Sequence, residues 1–235
     1  MEQDVKISVA DGVKELVIRE GQAAPIVQPL KVRLVGTITA PRLFLEKRKS
    51  QTDVLLTNVQ VDKNKEQGAI LLTVNDKDSY GSTVEGVLKI NPDLLAFGIN
   101  ADRQMGLKEI QKFLRMRRAF FADREQNEAI LKKLSEFFAR ITIEINKKDD
   151  RKGNTLDSVS TQVAHEIPLE FTLRIPLFQG FGESNFRVEI VADITDANVR
   201  FSLESVELQE LITTTKEAII AKELEAFADF VVIQI

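Results

Sequence analysis

GLKEIQKFLRMRRAFFADREQNEAILKKLSEFFA, residues 106–139, is the stretch that decides the fold class. Its apolar residues Leu107, Ile110, Phe113, Leu114, Phe120 and Phe121 recur at helical spacing and form one stripe. An unbroken helix to Arg140 would bring Arg117, Arg124 and Glu128 into that stripe, because each residue advances about 100°. A break at Ala122–Asp123 removes most of the conflict. Asp123 then serves as N-cap with Gln126 at capping-box spacing. The second helix, residues 124–139, has its own stripe of Asn127, Ile130, Leu134, Phe137 and Phe138. The expectation is two consecutive helices.

The flanks read as strands. Before the helices, residues 13–19 (VKELVIR) and 30–38 (LKVRLVGTI) alternate or run apolar. Pro41 opens a short stretch, residues 42–48. Strands are expected at 54–61 and 69–74, joined by a hairpin loop at 62–67. A further strand at 83–90 is stopped by Asn91–Pro92. After the helices the period switches to two at Ile141, Ile143 and Ile145, and a polar turn, KKDDRKGN, follows at 147–154. Strands are expected at 167–178, 186–194 and 199–206. A last helix is placed near Thr214, where Thr214 and Glu217 have capping-box spacing, and runs to about Phe227. The ending FVVIQI (230–235) is uncharged along its side chains, strongly β-prone and free of Pro. Left exposed it would be an aggregation edge, so pairing inside the fold is expected, with addition to a neighbour's sheet as the alternative.

Strands, paired helices and more strands define an α+β class: antiparallel sheet(s) flanked by a central pair of helices and a C-terminal helix. The expected division is a β-rich half at 1–100, a helical pair at 101–140, and strands plus a helix and strand at 141–235. These form one α+β fold or two closely packed subdomains.

Composition narrows the chemistry. The 235 residues contain no Cys, no Trp and a single His, His165. That excludes thiol chemistry, Cys-based zinc sites and any mechanism needing two imidazoles. It also removes a disulfide framework, so the fold needs no oxidising compartment. The N-terminus resembles neither a signal nor a transit peptide, and no apolar run approaches the roughly 18 residues of a membrane span. Fourteen Phe against one Tyr point to rings that fill the core.

Charge is unevenly spread: zero over residues 1–100, +5 over 101–152 and −9 over 153–235. A basic middle beside an acidic end can attract a phosphate backbone, or the two can neutralise each other within the chain or between copies. The candidate site is the first helix. Lys108, Lys112, Arg115 and Arg118 project opposite or beside its apolar stripe, with Gln111 as a further donor. Arg117 points along the stripe itself. There it needs a carboxylate, carbonyls, a stem snorkelling to water, or an anionic ligand.

Other chemistry is weaker. His165 has no second His at a metal-binding spacing and reads as a surface or capping residue. The carboxylate pairs Asp76/Asp78, Asp149/Asp150 and Asp193/Asp196 fall in turn-like segments, where Asp serves the backbone. Gly180-Phe181-Gly182 reads as a hairpin turn, since no Lys-Ser/Thr or helix follows.

Four stretches resemble a group of phage- and prophage-encoded proteins of unknown function, the YfdQ-like family. They are GTITAPRLFLEKR (36–48), MGLKEIQKFLRMRRAFF (105–121), RKGN (151–154) and IPLFQG (175–180). The resemblance spans most of the chain. It implies a phage or prophage origin and expression in a bacterial host, hence a cytoplasmic location, and carries over no catalytic residue. The leading expectation is a non-enzymatic accessory or host-interaction factor with no cofactor and no metal site. It would act by binding a protein partner or itself, without a membrane. The first alternative is a single-stranded nucleic-acid-binding protein using Lys108, Lys112, Arg115 and Arg118. Its aromatic complement is poor, with Tyr80 and Phe alone to stack bases. The second, ranked last, is a magnesium-dependent enzyme using Asp193 and Asp196.

Overall fold

A computed structural model describes residues 9, 11–13, 32–64, 68–77, 81–148, 169–195 and 198–235. The chain divides into Met1–Leu30 and Lys31–Ile235, and nearly all described residues belong to the second unit. The strand expected at 13–19 lies outside the described residues, Val13 apart.

Two sheets organise the second unit. The first has five strands: β1 (Arg33–Thr37), β2 (Asn58–Asp62), β3 (Ala69–Val74), β4 (Ser82–Val87) and β8 (Val231–Gln234), in the order β1-β4-β3-β2-β8. β2, β3 and β4 pair antiparallel, with Val59 opposite Leu72 and Leu72 opposite Val84. All three of those side chains are buried, as the period of two requires. Both edge strands run parallel to their neighbours, β1 to β4 and β8 to β2, so this sheet is mixed. The second sheet is antiparallel: β5 (Glu170–Pro176), β6 (Glu183–Thr195) and β7 (Asn198–Glu204). Its inward rows are Phe171/Leu173/Ile175, Phe186/Val188/Ile190 and Val199/Phe201/Leu203, all buried. The fold is α+β.

The two-helix expectation is met, with shifted ends. α3 (Leu107–Met116) stops before a 3-10 turn at Arg118–Phe120, and α4 (Arg124–Lys148) follows. Asp123 Oδ1 accepts from the Glu125 amide at 3.1 Å, as an N-cap does. Gln126 does not close the box. Its Oε1 accepts from the Thr172 amide at 3.0 Å, fastening α4 to β5. Asn127, the polar member of the apolar stripe, is buried, and its Nδ2 donates to the Leu114 carbonyl at 3.2 Å. It thus adds a second donor to a carbonyl that already accepts from the Arg117 amide at 3.1 Å.

Four expectations need correction. Residues 141–145 are not a strand: Ile130, Leu134, Phe137 and Ile141 keep the 4-3-4 spacing that holds one helical face in the core. The alternation of Ile141, Ile143 and Ile145 is incidental, and Ile143 is exposed. Residues 42–48 belong to a helix, α1 (Ala40–Arg48), with Pro41 in its first turn, where a missing N–H costs nothing. Residues 54–56 form a 3-10 turn, and β2 starts only at Asn58. The last helix, α5 (Leu208–Leu224), begins six residues before Thr214. Thr214 is no cap: its hydroxyl donates back to the Glu210 carbonyl at 2.9 Å.

β4 leads through Asn91, whose Oδ1 accepts from the Asp93 amide, into α2 (Pro92–Phe97). The Gly180–Gly182 segment is the turn between β5 and β6, with Gly180 at φ +80°. One continuous core joins both sheets and the helices, and Phe97, Phe137, Phe171, Phe178, Phe201 and Phe227 are fully buried in it. Phe121 stacks on Phe171 (4.7 Å between centroids), and Phe137 meets Phe201 edge-on (6.1 Å). α1 is tied to α5 by Arg42, whose Nε donates to Glu223 Oε2 at 2.9 Å and whose Nη1 donates to Glu46 Oε1 at 2.8 Å. The hydrogen bond to Glu223, then that to Glu46, pushes the Arg42 pKa above its ordinary value.

The C-terminal segment pairs within the fold, as β8 at the sheet edge. The Ile235 amide also donates to the Val61 carbonyl at 2.9 Å. Val231, Val232, Ile233 and Ile235 nevertheless stay exposed. No described helix is long and apolar enough to cross a membrane.

Candidate nucleic-acid interface

α3 owes its orientation to both neighbours. Before it, the loop from Gly98 to Met105 turns back through left-handed Gly98 (φ 63°) and Asn100 (φ 59°). Asn100 exchanges two 2.8 Å hydrogen bonds with Ser205, Nδ2 donating to its carbonyl and Oδ1 accepting from its amide. Met105 then bridges to Phe201 of β7. With the N-terminus pinned there, Ile110, Phe113 and Leu114 turn into the core.

The opposite face is cationic. At about 100° per residue, Lys108, Lys112 and Arg115 fall within an arc of about 60°, centred opposite the buried residues. All three are exposed, as is Arg118 in the turn that follows. Among the described residues none of the four takes part in an ion pair. The acidic second half of the chain uses other cations: Glu223 pairs with Arg42, Glu183 with Arg174, and Glu170 and Glu189 with Arg187. Neutralisation of the basic helix by the acidic C-terminal region is therefore not seen among these residues. Gln111 is not part of the exposed face: its Nε2 donates to Ser135 Oγ of α4 at 2.8 Å.

Among the described residues Arg117 pairs with no carboxylate. It is half-buried, with its guanidinium carbon 4.1 Å from the Phe113 ring centroid and 5.7 Å from that of Phe97. This is a cation–π contact, worth roughly 0.5–2 kcal/mol according to desolvation. A second guanidinium, which the sequence reading missed, meets the same ring: Arg103 lies 4.6 Å from the Phe113 centroid. The two distances cap the separation of the guanidinium carbons at about 8.7 Å. Their mutual repulsion is then at least about 0.5 kcal/mol even at the dielectric of water. No periodic pattern marks Arg103, because it lies outside α3, in the loop that leads into the helix.

Of the remaining candidates, Asp76 and Asp193 lie among the described residues. Asp76 Oδ2 accepts from Asn58 Nδ2 at 3.2 Å, and Asp193 Oδ2 accepts from Gln104 Nε2 at 3.0 Å. His165, Tyr80, Asp78, Asp149, Asp150 and Asp196 lie outside the described residues. Among the described residues, no three His, Cys, Asp or Glu side chains group as metal ligands do. Compared with protein-family models, curated proteins and solved structures, the chain matches none.

Proposed function

We propose that this chain is a phage- or prophage-type protein of the bacterial cytoplasm that works by binding rather than catalysis, and that single-stranded nucleic acid is its ligand. One observation carries the ligand: Lys108, Lys112, Arg115 and Arg118 are exposed and take part in no ion pair among the described residues. Such a row releases condensed counterions when it meets a phosphate backbone. Met116, 76 % exposed at the end of α3, and half-buried Phe120 add apolar surface beside the cations. Only an unstacked base can use that surface, which favours a single strand over a duplex. The phage assignment rests on the family resemblance alone. The test is fluorescence anisotropy with labelled single-stranded DNA and RNA at about 50 and 200 mM salt. Salt-sensitive binding supports the reading, and no binding at the lower salt refutes it.

A second reading, self-association, has its own support. β8 ends the five-stranded sheet with an uncharged and exposed row of side chains. An antiparallel pairing of two such edges would give a closed two-fold dimer. Light scattering tests it: a dimer that becomes monomeric in Val232→Lys supports edge pairing, and a native monomer refutes it.

A further inference from the structure

Arg103 and Arg117 do not belong to the cationic arc. Phe113, on which both rest, lies about 160° round α3 from Gln111 and its contact with α4. We propose that these two guanidiniums form a separate site that holds one phosphate group.

Phe113 and Phe97 meet edge-to-face at 5.6 Å, and Phe97 also meets Phe120 at 5.9 Å, so the wall behind the guanidiniums is a packed ring cluster. A guanidinium lying over a ring spends its face on the contact and keeps its N–H edge free for an acceptor. Arg103 uses one donor, Nη1 to the Ala96 carbonyl at 3.2 Å. Among the described residues, no side-chain hydrogen bond or ion pair takes the donors of Arg117. The neighbouring carboxylates, Asp102 beside Arg103 and Glu109 on α3, form no ion pair with either. Two cations are thus held close together by aromatic faces, with fork-shaped donors unspent.

The spacing selects the ligand. A charge-assisted N–H···O bond of about 2.8 Å places a phosphorus roughly 4 Å from the guanidinium carbon. One phosphate therefore spans two such carbons when they lie on one side of the Phe113 ring and less than about 8 Å apart, inside the ceiling of about 8.7 Å set by the two ring contacts. Its oxygens serve both forks, and its charge replaces the repulsion between the cations with attraction to both.

The phosphate can come from a free phosphate or phosphomonoester, or from a nucleic-acid backbone. Arginine Nε–Hε NMR signals, assigned through Arg103→Lys and Arg117→Lys, distinguish these sources. Titration with inorganic phosphate at constant ionic strength should shift both signals together and saturably, with chloride causing no such shift. Arg117→Lys keeps the charge but loses the fork, and should weaken the response about ten-fold. Shifts with phosphate that an oligonucleotide also produces assign the backbone as source, and shifts with phosphate alone assign a small phosphate. In Lys112→Glu combined with Arg115→Glu both arginine signals should still shift saturably with phosphate, at lower affinity, while oligonucleotide binding is lost, so loss of DNA binding is distinguishable from loss of this site. Absence of a phosphate shift at either arginine overturns the proposal.

Discussion

Charge reversal at two positions of α3 puts the proposed function at greatest risk. Lys112 and Arg115 are exposed, lie in one arc of the helix and take part in no ion pair among the described residues. Replacing both with Glu should change folding stability by no more than about 0.5 kcal/mol, the usual range for surface substitutions. Binding should respond far more. If Lys108, Lys112, Arg115 and Arg118 each neutralise one phosphate, the slope of log K against log salt is about −2.8 for a single strand. Affinity then falls about 50-fold between about 50 and 200 mM salt. The double variant loses two of these contacts and adds two carboxylates beside the remaining pair. Its slope should fall close to zero, and binding at about 50 mM should disappear. Anisotropy titrations at four salt concentrations measure both slopes, and a thermal melt confirms the fold. A native slope flatter than about −1, or a folded double variant that keeps the native slope, would refute the reasoning.

Three further outcomes test the fold. Gly86→Ala places a Cβ 2.6 Å from Pro41 Cδ and 2.9 Å from the Ile38 carbonyl oxygen, neither of which is the end of a flexible side chain. It should cost about 1–3 kcal/mol and lower Tm by roughly 3–10 °C, whereas Gly182→Ala meets nothing within 4 Å and should leave Tm almost unmoved. Asn127→Leu removes one of two donors to the Leu114 carbonyl and should cost about 0.5–1.5 kcal/mol by urea unfolding, and an unchanged midpoint would show that the bond adds nothing to stability. Truncation after Asp229 removes β8 and buried Phe230, exposing the β2 edge. The truncated protein should aggregate and melt earlier, and unchanged solubility and Tm would show that β8 adds nothing to the sheet.

What the sequence determined by itself is what repeats over a few residues. The stripes of α3 and α4, the break at Asp123 and the alternating rows of β5, β6 and β7 follow from periods of 3.6 and 2, which need no knowledge of the neighbours. The exposed cations of α3 were legible for the same reason, since an amphipathic helix buries one face and leaves the other to solvent. Local signals failed where two structures share one signature. Pro41 stops a strand as readily as it opens a helix, and Ile141, Ile143 and Ile145 alternate within a helix already fixed by Ile130, Leu134 and Phe137. Thr214 matched a cap while lying well inside α5. Only the tertiary structure decided the sheet order, the parallel edges β1–β4 and β8–β2, and the meeting of Arg103 with Arg117 on Phe113. The parallel pairings bring together residues distant in sequence, and loop closure costs entropy that varies only slowly with length. Packing energy, not local pattern, therefore selects which distant partners meet.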